Sequence, residues 1–217
     1  MIAFRRTRAA LLAAATLALC GCATIDSYDY SNFREHPPRS ILVLPPLNES
    51  TSIEGTYGYL STVSRPVAER GYYVFPVAVV DEMLKENGMP TPGEMHQVPL
   101  AKVLEITGAD AVLFPVLHRY GSQYHLVSSD TVVDVTARLV DTRTGLTLWE
   151  NTGVGRSGSG GSGNALADLI AAAVVQAIAS STDPAHNVSR IANQQLFFTK
   201  KRELPPGPYD PRFGQFP

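Results

Sequence analysis

The chain has 217 residues, with 18 Lys and Arg against 20 Asp and Glu, a formal charge of −2, and two cysteines, Cys20 and Cys22. That balance builds no basic stripe, which argues against a nucleic-acid partner, and the length suits one hydrophobic core. With both cysteines at the end of an apolar leader, no internal disulfide is available to stabilise the fold.

Arg5, Arg6 and Arg8 precede an apolar run over 9–19, the pattern of a secretory signal and too short to span a bilayer. The segment Leu19-Cys20-Gly21-Cys22 resembles the bacterial lipobox, so cleavage is expected after Gly21 and diacylglycerol on the Cys22 sulfur. Residue 23 is Ala and not Asp, which by resemblance to Gram-negative sorting signals points to the outer membrane over inner-membrane retention, and the domain is expected to be tethered on the periplasmic side. Several acyl chains, at about 0.8 kcal/mol per methylene, make such an anchor stable. Removing residues 1–21 leaves 196 residues and takes three arginines away, moving the formal charge from −2 to −5.

Residues 22–39 are polar, aperiodic and close on Pro37-Pro38, the pattern of a lipidated tether. The run SILVLP at 40–45 reads as a strand buried on both faces, followed by a loop, PLNESTSIEGT. Leu60, Val63 and Val67 recur at helical spacing up to Arg70, with Gly71 at the C-terminal cap and Pro66 as a kink or restart. YYVFP at 72–76 gives a second strand, so 40–76 forms a β-α-β unit with parallel strands and a right-handed crossover. Helices are expected over 79–87 and 100–107, each closed by a glycine.

A strand begins at Ala111, and Gly121-Ser122 is a two-residue hairpin signal. Val133, Val135, Ala137 and Leu139 then alternate with Asp134, Thr136, Arg138 and Val140, so one face is buried. DTRTG at 141–145 is a second turn, and 146–156 returns as the last strand of an antiparallel meander. Residues 157–163 are only Gly and Ser. Asn164 can cap a helix with Leu166, Leu169, Ile170, Ala173, Val174, Ala177 and Ile178 in one apolar stripe. A final helix over 188–198 precedes a Pro-rich tail, 200–217, expected to be disordered. The fold class is therefore α/β (α+β): a mixed sheet with a parallel β-α-β start, an antiparallel three-stranded meander and packing helices, as a single domain over 40–199.

The stretch VTARLVDTRTGLTLWE at 135–150 carries a hairpin pattern, A-x-L-x-D-x-x-T-G-x-x-L-W, shared by several envelope lipoproteins. Joined to LPPLNES at 44–50, ERGYYVFPVAVVDEMLKENG at 69–88, ADAVLFPV at 109–116 and YGSQYHLVSS at 120–129, it resembles one family over most of the mature chain. That is the outer-membrane lipoprotein family without assigned function that includes a neisserial surface-lipoprotein vaccine candidate. The resemblance implies a fold akin to the amino-terminal domain of the Tol-Pal translocation protein, and genes beside a relative of the curli secretion lipoprotein. No catalytic or ligand residue comes with it, so Cys22 alone carries over, as the lipidation site.

The glycines match G-x-G-x-x-G at 153–158 and 158–163, but the preceding strand ends an antiparallel hairpin and Asp183 falls at the end of the following helix, so no cofactor is expected. If Gly121-Ser122 forms the turn, His118 faces His125 across the strands, two ligands without an evident third, so no metal is expected either. No G-x-S-x-G, Cys-His pair or H-E-x-x-H is present, and no catalytic residue is assigned. The sequence reads as a non-enzymatic, lipid-anchored accessory or assembly factor of an envelope transport or secretion complex. Its partner is expected to be related to a secretion-channel lipoprotein, with Tyr57, Tyr59 and Tyr124 near loops as candidate anchors. Alternatives are an activator of a peptidoglycan synthase and a lipid-anchored hydrolase.

Overall fold

The computed structural model describes residues 28–124, 129–157 and 184–216, without the side chains of 123, 124 and 129. The signal peptide, Cys22, His125, Gly158 and the helix expected after Asn164 lie outside the described residues.

In chain order the elements are α1 (Ser31–Glu35), β1 (Ser40–Val43), β2 (Leu47–Asn48), α2 (Gly55–Glu69), β3 (Tyr73–Val74), α3 (Val77–Glu86), α4 (Pro92–Met95), α5 (Leu100–Thr107), β4 (Ala111–Tyr124), β5 (Ser129–Asp141), β6 (Thr147–Ser157) and α6 (Pro184–Phe198). One mixed sheet runs β3-β1-β4-β5-β6, with β2 also pairing β4. β1 is parallel to β3 and to β4, while β4-β5-β6 is an antiparallel meander. The parallel start and the antiparallel meander expected from the pattern are both present.

The unbroken apolar run at β1 has the predicted consequence. Ile41 and Val43 point into one core, and Leu42 into a second on the opposite face, which Leu44 just beyond the strand also joins. The first core is the larger. Tyr59, Leu60, Val63 and Val67 of α2 and Val188, Ala192, Leu196 and Phe197 of α6 cover Val133, Val135, Ala137 and Leu139 of β5, all four fully buried. Trp149 on β6 is fully buried, stacked on Phe197 at 5.7 Å, and donates its indole N–H to the Arg202 carbonyl at 3.0 Å. The second core is small: Val80 and Leu84 of α3, Met95 of α4 and Val103 of α5 against Leu42, Leu44 and Val112.

Helix α6 comes close to β6 because Gly153 and Gly155 have no side chains. A Cβ at Gly153 would overlap the Ala192 carbonyl and lie 2.7 Å from Leu196 Cβ, and one at Gly155 would overlap the Val188 carbonyl. Of the glycines that formally matched a nucleotide fingerprint, Gly153 and Gly155 serve helix packing, and Gly158 to Gly163 lie outside the described residues. Between α2 and α6, Tyr59 donates to Asn193 Oδ1 at 2.7 Å and Asn193 Nδ2 donates to Thr62 Oγ1 at 3.0 Å, a buried, closed polar link.

Several expectations are corrected. Residues 28–39 are not free tether, because Tyr30 and Phe33 supply enough aromatic surface to bury themselves in the first core. Residues 200–216 are not a disordered tail. Leu204 is fully buried, Tyr72 donates to the Pro205 carbonyl at 2.5 Å, Gly207 donates to the Arg70 carbonyl at 2.6 Å, and the Arg70 guanidinium donates to the Leu204 carbonyl. The prolines extend this strap along residues 70–72. Gly121-Ser122 is not the hairpin turn: β4 continues to Tyr124, with Gly121 paired to Val132. His118 sits at a bulge between Leu117, paired with Val135, and Arg119, paired with Asp134, so it lies against the middle of β5, while His125 is outside the described residues. The loop after β1 contains β2, whose Leu47 pairs with Val116. α2 passes through Pro66 without restarting, and α4 was missed.

Candidate functional site

The second face of the sheet carries a groove of about 430 Å³ bounded by α3, α4 and α5 over the end of β1. Its floor is Leu42, Leu44, Leu84 and Val103, and its walls are Met83, Met89, Val98 and Ile106. Polar groups stand only at the rim, among them Asn87, Glu94, Gln97 and Lys102.

Local rules place these walls. The α4 turn begins with a capping box in which Thr91 Oγ1 accepts from Glu94 N and the Glu94 carboxylate accepts from Thr91 N at 3.0 Å. α5 ends at Gly108, which takes the left-handed conformation at φ 67° and donates to the Leu104 carbonyl. His96, at the end of α4, reaches the segment after β1 and β4: its Nε2 lies 2.8 Å from the Pro45 carbonyl and its ring meets Phe114 edge-on at 5.4 Å. Burial pushes the His96 imidazole below its usual range and outweighs the Pro45 carbonyl, so at neutral pH the ring is uncharged and Nε2 donates.

The apolar surface continues outside the groove. Ile106 is 52% exposed, and Val79, one turn before Met83 on α3, is 64% exposed. Two unbranched methionines in the walls give the groove an adaptable lining. Chemically it suits an apolar side-chain cluster of a partner better than a polar small molecule.

The rest of this face, over the meander, is polar. His118 Nδ1 lies 2.6 Å from Glu49 Oε2 and Nε2 lies 3.1 Å from Thr136 Oγ1, which in turn meets Thr152 Oγ1 at 3.1 Å. Arg119 pairs with Asp134 at 2.7 Å. Among the described residues no group of three or more His, Cys, Asp or Glu converges as a metal site, and no helix is long and apolar enough to cross a membrane.

Of the tyrosines singled out as anchors, Tyr57 is 48% exposed beside Lys85 and Asp81, whereas Tyr59 is fully buried and bonded to Asn193, which removes it as a surface anchor. The side chain of Tyr124 lies outside the described residues. The groove itself was missed. Its signal was in the sequence: apolar residues at 83 and 106, on two short helices, and at 89 and 98, between them, have too few partners to cover them all.

The family described as "Putative lipoprotein GNA1162-like" matches residues 28–209, a span that includes α1 and the strap as far as Tyr209. A relative from Neisseria meningitidis serogroup B, "Putative lipoprotein NMB1124/NMB1162", is 44% identical over 186 residues, 84% of this chain and 86% of that one. Among solved structures, lipoprotein GNA1162 from Neisseria meningitidis is similar at 46% identity and a TM-score of 0.54, over 66% of this chain and 100% of that one. The PelC dodecamer from Paraburkholderia phytofirmans is 16% identical with a TM-score of 0.40, over 71% and 89% of the two chains, a likeness too slight to carry any argument.

Proposed function

The chain belongs to the GNA1162-like lipoprotein family, and on that premise we propose that it is a non-enzymatic accessory or assembly factor of an envelope transport or secretion complex. It is held at the periplasmic face of the outer membrane by lipid on Cys22. The observation that carries this reading is the apolar groove between α3, α4 and α5, whose walls run out into exposed Val79 and Ile106. An unfilled apolar patch with a polar rim is the form of a protein-docking surface. The partner that fits the family resemblance is a second lipoprotein, related to the curli secretion lipoprotein. The anchor reading rests on the lipobox and on Ala23.

Purification of the lipidated protein from membranes tests this. The secretion-lipoprotein relative is expected with the native chain and lost with Met83→Glu combined with Ile106→Glu. Recovery of the native chain with no such partner, or equal recovery from both chains, would overturn the proposal. Cys22→Ala should leave an uncleaved precursor that a fatty-acid probe does not label, and labelling of that variant would sink the anchor assignment.

A further inference from the structure

We infer that the end of the domain built from α1 and the turn after α6 is a lipid-facing surface that binds phosphate-bearing headgroups of the membrane in which the chain is anchored. The inference rests on the anchor at Cys22. Tyr28 is held on the domain, its hydroxyl accepting from Glu150 N at 3.1 Å, and six Cα steps along the chain separate it from the lipidated residue, a reach of at most about 20 Å. A tether that short keeps whatever surrounds Tyr28 at headgroup distance.

Beside Tyr28, along with the acidic Asp29 and Glu150, stands a cationic cluster. The guanidinium of Arg202 lies over the Tyr28 ring at 5.1 Å, and Lys200, Lys201 and Arg202 form an exposed consecutive triplet where α6 ends. Lys201 takes the left-handed conformation, φ 69°, a strained choice for Lys that turns the chain sharply between its two cationic neighbours. The adjacent Glu203 does not neutralise the triplet, since it faces buried Arg70 at 3.5 Å. The same strap exposes Phe213 by 50%, an apolar ring of the kind that interfacial elements present to lipid. Basic side chains beside aromatic rings next to an acyl anchor are the chemistry of an anionic lipid interface.

The test uses the mature chain, 22–217, carrying Cys22→Ser so that no acyl chain contributes, with sedimentation on vesicles of phosphatidylcholine with and without phosphatidylglycerol. Binding is expected only to the phosphatidylglycerol vesicles. It should fall roughly tenfold or more in Lys200→Glu/Lys201→Glu/Arg202→Glu, and by less in the corresponding triple Gln variant. Thermal unfolding of both variants checks that they are folded, because these side chains point outward. Equal sedimentation on both vesicles, none on either, or unchanged binding by the folded Glu variant would overturn the inference. Failure here leaves the Cys22 assignment intact, since fatty-acid labelling of the native chain tests that separately.

Discussion

The two faces of the sheet are built to different standards. On the first, α2 and α6 lie against β5 and β6 with glycines at the closest contact, a closed Tyr59–Asn193–Thr62 link, and the segments around Tyr30, Phe33 and Leu204 folded over the margin. On the second, three short helices cover only β1 and the start of β4, leaving a groove and a polar ladder. The first face is close-packed and carries stability. The second has spare apolar surface, and that is where a partner can be recognised without unfolding the domain.

The sharpest way to break that contrast is at Trp149. Trp149→Ala should cost about 3–5 kcal/mol, read as a fall in the urea midpoint, because it empties the space against Phe197 and removes the stronger of two donors to the Arg202 carbonyl. An unchanged midpoint would mean the first face is not the stabilising one. Gly153→Ala should cost about 3 kcal/mol through overlap with the Ala192 carbonyl, although on sequence statistics it is a mild change. Tyr59→Phe should cost about 2 kcal/mol, since Asn193 keeps its burial and loses its donor.

The longer strands, the Trp and the glycine caps were legible from the sequence because each depends on local periodicity or on one residue type: alternation at 133–139, Gly71 and Gly108 at helix ends. The family was legible from residues scattered over the chain. The strap was not, because proline content usually signals an unfolded tail, and only the three-dimensional neighbours of Arg70 and Tyr72 show where Leu204 and Pro205 go. The hairpin turn was misplaced for a related reason. Gly121 sits inside β4 at φ 111°, and a glycine within a strand looks locally like a turn. The groove depends on what three short helices fail to cover, a property of no single segment.

On the second face the expected stability effects are smaller. Ile106→Glu should change the urea midpoint by no more than about 0.5 kcal/mol equivalent, since the side chain is half exposed, while partner recovery falls. Acid should act through His96. Its folded-state pKa is lowered, so the unfolded chain binds the proton more readily; the stability tied to the neutral ring is complete above the ordinary His range and is lost as pH falls below about 6.5. His96→Gln, which keeps a donor for the Pro45 carbonyl, should flatten part of the decline between pH 8 and 5 in urea titrations, and an unaltered decline would remove His96 from the account.

The division of labour between the faces is tested most directly by photo-cross-linking in intact cells, with the reactive residue placed at Ile106 beside the groove or at Arg65 on the exposed side of α2. Capture of the secretion-lipoprotein relative from position 106 and not from position 65 is the predicted result. Capture from 65 alone, equal capture from both, or none from 106 would contradict it.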